Sequence, residues 1–128
     1  MAHLEILKFP DPRLRTIAKP VEVFDDALSK LAKDMLSTMY QAPGIGLAAT
    51  QINVHKQLLV VDVSETKDQP IILVNPSLEL SGDTLEAEEG CLSLPGIYEK
   101  VSRKTIAHVS AKDIKGKDLS FASDGLLA

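Results

Sequence analysis

The chain has 128 residues, of which 45% are hydrophobic and 25% are charged, a composition typical of one globular domain. Its net charge of −4 argues against a DNA-binding surface, and no apolar run is long enough to cross a membrane. The single cysteine excludes an internal disulfide, and the N-terminus has no secretory pattern. We therefore expect a single cytoplasmic domain over residues 1–128.

The first half of the chain contains one clear helix signal. Residues 9–14 predict a turn into a short helical segment, with Asp11 as its cap and Pro12 at its first position. A longer helix is predicted from Asp26 to about Met39, because apolar residues recur there at helical spacing. This apolar stripe consists of Leu28, Leu31, Met35 and Met39. Its two methionines are predicted to fill core space rather than bind a metal.

The second half of the chain predicts strands. Short runs rich in β-branched residues, or alternating in polarity, are separated by proline, asparagine and glycine. The runs are residues 58–61, 71–74, 105–111 and 119–121, with a turn at 115–116. The sequence therefore predicts an α+β fold, in which a long N-terminal helix is followed by mostly antiparallel strands.

A glycine-rich segment at residues 44–51 is the first candidate functional element. Its sequence is Gly-Ile-Gly-Leu-Ala-Ala-Thr-Gln. Glycine lets a ligand approach the backbone closely, and the Gln51 side chain offers a donor and an acceptor. The same residues are typical of a helix end that runs into a tight loop, so the pattern leaves both interpretations open. It is not a phosphate-binding loop, because no Lys-Ser or Lys-Thr pair follows.

The only cysteine, Cys91, lies in a second candidate segment, Glu-Glu-Gly-Cys-Leu-Ser-Leu-Pro-Gly, at residues 88–96. A lone cysteine is often a buried structural residue. It can also be a metal ligand, or a nucleophile if a histidine activates it. Two adjacent carboxylates disfavour a free thiolate, whereas a bound cation reverses that balance.

Together, the segments Gly-Ile-Gly-Leu-Ala-Ala-Thr-Gln and Glu-Gly-Cys-Leu-Ser resemble the first two of three signature segments of bacterial peptide deformylases. Their order and spacing are those of the family, and the flanks at residues 9–14, Asn75-Pro76 and Arg103 are similar as well. Thr50 stands where many members have proline, a difference that also occurs within the family. The resemblance extends over the whole chain from about Leu4.

The resemblance implies a metal-dependent hydrolase that removes the formyl group from the N-terminal formyl-methionine of new proteins. The divalent metal is commonly iron(II), with zinc or nickel as substitutes, and it is held by one cysteine and two histidines. A water in the fourth position becomes a nucleophile, because the metal lowers its pKa and polarises the carbonyl. The expected partners are formyl-methionyl peptide N-termini, with association with the ribosome as a further expectation.

The family pattern also assigns residue roles. Cys91 would be the thiolate ligand, and the Gln51 side-chain amide and the Leu92 backbone N–H would donate to the oxyanion. The backbone around Ile45 would pair with an extended substrate, and small and apolar residues would line the methionine pocket. The residues expected to contact the substrate are Gly44, Ile45, Gly46, Ala87, Glu89 and Leu126.

The third family signature, His-Glu-x-x-His, is absent from these 128 residues. In the family it supplies two metal ligands and the general acid/base, on a central helix that continues from a segment like residues 125–128. The three histidines present, His3, His55 and His108, lack the spacing for such a pair and are interpreted as surface or core residues. We therefore expect a domain truncated before this C-terminal helix, and an inactive chain.

Three interpretations remain open at this point. The chain can be a fragment of an active deformylase, or a non-catalytic remnant that binds extended peptides through residues 44–51. It can also be an unrelated small α+β protein with a structural cysteine.

Overall fold

One helix and a single antiparallel sheet form the part of the chain that the computed structural model describes, residues 4–124 and 127. The helix is α1 (Asp26–Gln41), and short 3-10 helices lie at Pro12–Arg15 and Ala49–Ile52. The strands are β1 (Gly46–Ala48), β2 (Leu58–Val61), β3 (Ile71–Cys91), β4 (Leu94–Lys112) and β5 (Asp118–Ser123). They neighbour one another in chain order, each pair antiparallel. The predicted α+β class is confirmed.

Helix α1 begins where the sequence predicts and packs its apolar stripe onto β1 and β2. The carboxylate of Asp25 caps it by accepting the Leu28 N–H at 3.0 Å. Met35 and Met39 are fully buried in the main core, which confirms them as core residues. Burying a side chain of this size contributes about 1.5–3 kcal/mol. Their partners in the sheet include Leu47, Leu58, Val60 and Val74.

The β3–β4 hairpin is much longer than the short strands predicted at 71–74 and 105–111. Its strands have 21 and 19 residues. The residues that were expected to separate strands instead sit at shifts of register, between Val74 and Ser77 and between Ser81 and Thr84. A β-bulge absorbs extra residues without ending the pairing. The predicted strand ends were wrong for this reason.

The hairpin tip holds Cys91 in an exposed position, and the next residue, Leu92, lies against Gly44 in the loop after α1. Near its base, the face opposite α1 is covered by a small second cluster around Leu73, Val109 and Ala111. Further out, large apolar side chains are exposed, among them Leu78, Leu80, Leu85 and Tyr98. In the described residues, no helix is long and apolar enough to span a membrane.

Candidate functional site

The two candidate segments meet at the tip of the hairpin. The Nε2 atom of Gln51 lies 3.7 Å from the Sγ atom of Cys91 and 3.1 Å from the Oγ atom of Ser93. Gln51 and Cys91 are 40 positions apart in the chain. The fold therefore brings together an amide donor and a thiol that the sequence suggested only through a family resemblance.

The 3-10 helix Ala49–Ile52 presents the Gln51 side chain to the hairpin. The Gln51 Oε1 atom accepts the backbone N–H of Ala48 at 3.0 Å, so the NH2 end of the amide points the other way. The Gln51 carbonyl accepts the N–H of Leu7 at 2.6 Å. Both ends of the residue are thus fixed by backbone groups, which gives the amide one orientation.

Cys91 ends β3 and exposes its thiol. The strand register shifts between Gly90 and Cys91, and Cys91 pairs with Leu94 across the turn. The thiol is free and solvent-accessible. The interpretation of Cys91 as a buried structural cysteine is therefore wrong, because the bulged hairpin tip turns this residue outwards.

The segment at residues 4–9 connects the two halves of the site, a role that no sequence pattern predicted. Leu7 donates its N–H to the Gln51 carbonyl, and Phe9 donates its N–H to the Ser93 carbonyl at 2.8 Å. Leu4 donates its N–H to the Thr38 Oγ1 atom at 2.8 Å. These bonds use backbone donors, which every residue except proline has, so no side-chain pattern could reveal them.

An open cavity of about 1220 Å³ lies between residues 4–8, the end of α1 and the hairpin tip. Six of the residues predicted from the family line it: Gly44, Ile45, Gly46, Gln51, Cys91 and Leu92. Ala87 and Glu89 lie on β3 outside this lining, and Leu126 falls outside the described residues. The Glu89 carboxylate instead binds Arg103 at 3.1 and 3.2 Å, and this bond raises the pKa of Arg103.

Gly44 and Leu92 are the point where the two segments touch. A Cβ atom on Gly44 would lie 2.8 Å from the Leu92 Cδ1 atom, closer than such atoms approach. Leu92 is half-buried and packs against the main core. The glycine therefore allows the cysteine segment to lie against the loop after α1.

Strand β1 is an outer strand of the sheet in the described part of the chain, and it borders the cavity. The Ile45 carbonyl accepts the N–H of Asp62 at 2.8 Å, and Gly46 is in register with Val61. Because bonded and non-bonded pairs alternate along an antiparallel ladder, the N–H and C=O of Gly46 point away from β2. They are directed to the open side of the strand.

The site provides one soft metal ligand. The Cys91 thiol borders the cavity and is accessible to an ion. In residues 4–124 and 127, no group of three or more His, Cys, Asp or Glu side chains could hold a metal. Iron and zinc sites need three or four protein ligands. The described residues could therefore supply one ligand of a metal site, but not the complete set of ligands.

Comparison with known proteins gives a consistent result. The family model for polypeptide deformylase matches residues 3–128. The peptide deformylases of Hahella chejuensis and Pseudomonas aeruginosa are 55% and 56% identical to the whole chain, which spans 77% of each. A solved peptide deformylase from Legionella pneumophila has a TM-score of 0.95 and 49% identity, covering 99% of this chain and 75% of its own.

A second solved peptide deformylase, from Thermotoga maritima, has a TM-score of 0.94 at 36% identity, and the match covers 100% of this chain and 86% of that one. The interpretation as an unrelated α+β protein is therefore wrong. Members of this family are metal-dependent hydrolases, as the resemblance of the two motifs predicted. The chain belongs to the peptide deformylase family.

Proposed function

We propose that Cys91 and Gln51 belong to a centre that removes the formyl group from N-terminal formyl-methionine. The observation that carries the proposal is the 3.7 Å separation of Gln51 Nε2 and Cys91 Sγ beside the cavity. A thiol and an amide donor in direct contact can both face one small group placed beside them in the cavity. The formyl carbonyl is a group of that size.

Cys91 would supply one of the metal ligands in this centre. The family's other two ligands are the histidines of His-Glu-x-x-His, a motif that these 128 residues do not contain. When bound, a divalent metal polarises the carbonyl and provides a nucleophilic water near neutral pH. Iron(II) as this metal and association with the ribosome stay predictions of the resemblance, and a cytoplasmic location stays a prediction from the single cysteine and the N-terminal sequence.

Gln51 and Leu92 would stabilise the charge that develops on the formyl oxygen. The Gln51 Oε1 atom is occupied by Ala48, so only the NH2 end of the amide is directed to the thiol. Leu92 follows Cys91 directly and also lines the cavity, and its backbone N–H would be the second donor. A donor of this kind contributes on the order of 3 kcal/mol to the transition state.

The open side of β1 would bind the substrate backbone. The outward-facing N–H and C=O of Gly46 can pair with one residue of an extended peptide, in the manner of an added strand. Ile45 is 49% exposed and can contact a side chain of that peptide. Ala87, Glu89 and Leu126 stay predicted contacts of the methionine side chain, with Gly44 shaping the loop.

A second candidate function is peptide binding without catalysis, which the free edge of Gly46 favours. Titration of a formyl-methionyl tripeptide and its unformylated form distinguishes the two, with zinc present. Catalytic recognition predicts that Gln51→Ala weakens binding of the formyl peptide alone, by about 3- to 10-fold for one lost hydrogen bond. Gln57→Ala serves as the control.

The peptide-binding function predicts a different pattern. Both peptides would bind equally, Gln51→Ala would have no effect, and Gly46→Pro would abolish binding because proline lacks the N–H. Gly46→Ala keeps the N–H and meets no atom closer than 3.9 Å, so it is the matched control. Equal binding of both peptides in all variants except Gly46→Pro would contradict the catalytic proposal.

We also propose that the polypeptide of these 128 residues is inactive alone. It contains one cysteine, and the family's two histidine ligands and glutamate are not in its sequence. Formate release from a formyl-methionyl peptide, measured anaerobically with added iron(II), is expected to equal the rate of iron(II) without protein. Turnover well above that blank would refute this.

A further inference from the structure

Ser93 is a buried polar residue of the site that the proposed roles leave unused. Its side chain belongs to the family segment that contains Cys91, but only 5% of the residue is exposed. Its Oγ atom lies 3.1 Å from Gln51 Nε2 and accepts one of that nitrogen's hydrogens. A buried hydroxyl needs a hydrogen-bond partner, and here that partner is a side chain of the candidate site.

The Gln51 amide has two hydrogens on Nε2, and they are directed to different partners. The Ala48 N–H fixes the oxygen end of the amide, because reversing the amide would place two donors together. One Nε2 hydrogen is then taken by Ser93. The other is directed to Cys91 Sγ and the cavity.

Ser93 is itself held in place. Its carbonyl accepts the N–H of Phe9, and two residues earlier Leu7 donates to the Gln51 carbonyl. One backbone segment thus fixes both residues whose side chains form the bond. The Oγ atom is therefore a fixed reference point, whereas a glutamine side chain alone keeps several rotatable bonds.

We infer that Ser93 is a positioning residue, which holds the Gln51 amide so that one N–H faces the space beside Cys91. The consequence for catalysis rests on the proposed function, since it is there that this N–H meets the formyl oxygen. The positioning itself requires neither metal nor substrate. It can be measured directly on the 128-residue chain.

The test follows the Gln51 side-chain NH2 signals by 15N NMR, which are assigned by their loss in Gln51→Ala. Ser93→Ala is expected to speed hydrogen exchange of this amide by roughly 3- to 10-fold, since one hydrogen bond is lost. Ser93→Thr keeps the hydroxyl and should restore slow exchange. If Ser93→Ala does not fold, Ser93→Cys replaces it, because sulfur is a weak acceptor.

The matched control is Ser123→Ala, which removes another buried hydroxyl, one that donates to the Ala107 carbonyl at 3.4 Å. It should leave the Gln51 signals unchanged. An unchanged Gln51 amide in Ser93→Ala, or an equal effect of Ser123→Ala, would overturn the inference. Because no metal or substrate is used, a failure of the proposed deformylase role would show separately, as unchanged formyl-peptide binding in Gln51→Ala.

Discussion

At Gly44, the absence of a side chain determines how the two halves of the site approach each other. Leu92 fills the space that a Cβ atom would need, whereas a Cβ atom on Gly46, two residues later, would meet the Val60 carbonyl oxygen at an ordinary contact distance of 3.9 Å. Neither glycine has a positive φ angle. Their roles therefore differ in local packing and not in backbone conformation.

Gly44→Ala is expected to displace the end of the Leu92 side chain and to lower the free energy of unfolding by about 1 kcal/mol, the low end of the usual cost of overpacking. Gly46→Ala, with its nearest contact at 3.9 Å, should change it by less than about 0.5 kcal/mol. Urea unfolding of both variants measures the difference. Equal effects of the two substitutions would show that Gly44 has no special contact with Leu92.

The sequence predicted which residues belong to the candidate site better than it predicted their burial and contacts. Gln51 and Cys91 were found because the motifs around them resemble a family, and the structure brings them together. The exposure of Cys91 was not predictable, since a lone cysteine is often a buried structural residue. Ser93 was part of the same motif, but only its contact with Gln51 gives it a role.

Among the secondary-structure elements, α1 is joined to the end of β2 by a hydrogen bond between Tyr40 and Asp62, the residue that follows the strand. The Tyr40 hydroxyl donates to the Asp62 carboxylate at 2.5 Å, and Asp62 is only 3% exposed. Asp62 also accepts from the Ser64 side chain and from the N–H groups of Ser64 and Gln69. The bonds from Ser64 and Tyr40 lower the pKa of Asp62 to about 2.

This pairing predicts how stability responds to acid. The pKa of Asp62 falls from its ordinary value of 3.8 to about 2 on folding, so the carboxylate stabilises the fold above pH 3.8. That contribution is lost as the pH falls from 3.8 to about 2. Asp62→Asn should be less stable at neutral pH and lose less stability across this range than the unmodified chain.

Thermal unfolding midpoints measured from neutral pH down to the acid range test this prediction. Asp118→Asn is the control, because Asp118 forms an exposed ion pair with Lys112 at 2.7 Å and such pairs contribute little. The control should follow the unmodified chain. Parallel acid curves for Asp62→Asn and the unmodified chain would rule out Asp62 as the responsible group.

The elements themselves were partly predictable. The spacing of Leu28, Met35 and Met39 predicted α1, and a β-branched run predicted β2 with its correct ends. The full length of the β3–β4 hairpin was not predictable, because Asn75-Pro76 and Ser81-Gly82 are typical of turns. Asn75 has a φ of 52° within β3. Its side chain forms hydrogen bonds with the backbone of Val21, a residue distant in sequence, and these bonds stabilise the strand at this position.

In the whole molecule, the site is assembled from three regions that are distant in sequence. The 3-10 helix Ala49–Ile52 brings Gln51, the hairpin tip brings Cys91, and the segment at residues 4–9 connects them through backbone bonds. The first two regions carry motifs and could be predicted, whereas the third acts through its main chain. The His-Glu-x-x-His motif of the family is not among these 128 residues, and under the proposed function Cys91 and Gln51 would form the cysteine part of a deformylase centre.

The proposed role of Cys91 as a ligand of a divalent metal can be measured directly. Cobalt(II) is added to the chain with free imidazole, which supplies nitrogen ligands of the histidine type. The unmodified chain should develop a thiolate-to-cobalt charge-transfer absorption, and Cys91→Ser should lack it and retain no metal after desalting. Identical spectra and metal content in the two proteins would contradict the assignment of Cys91 as a metal ligand.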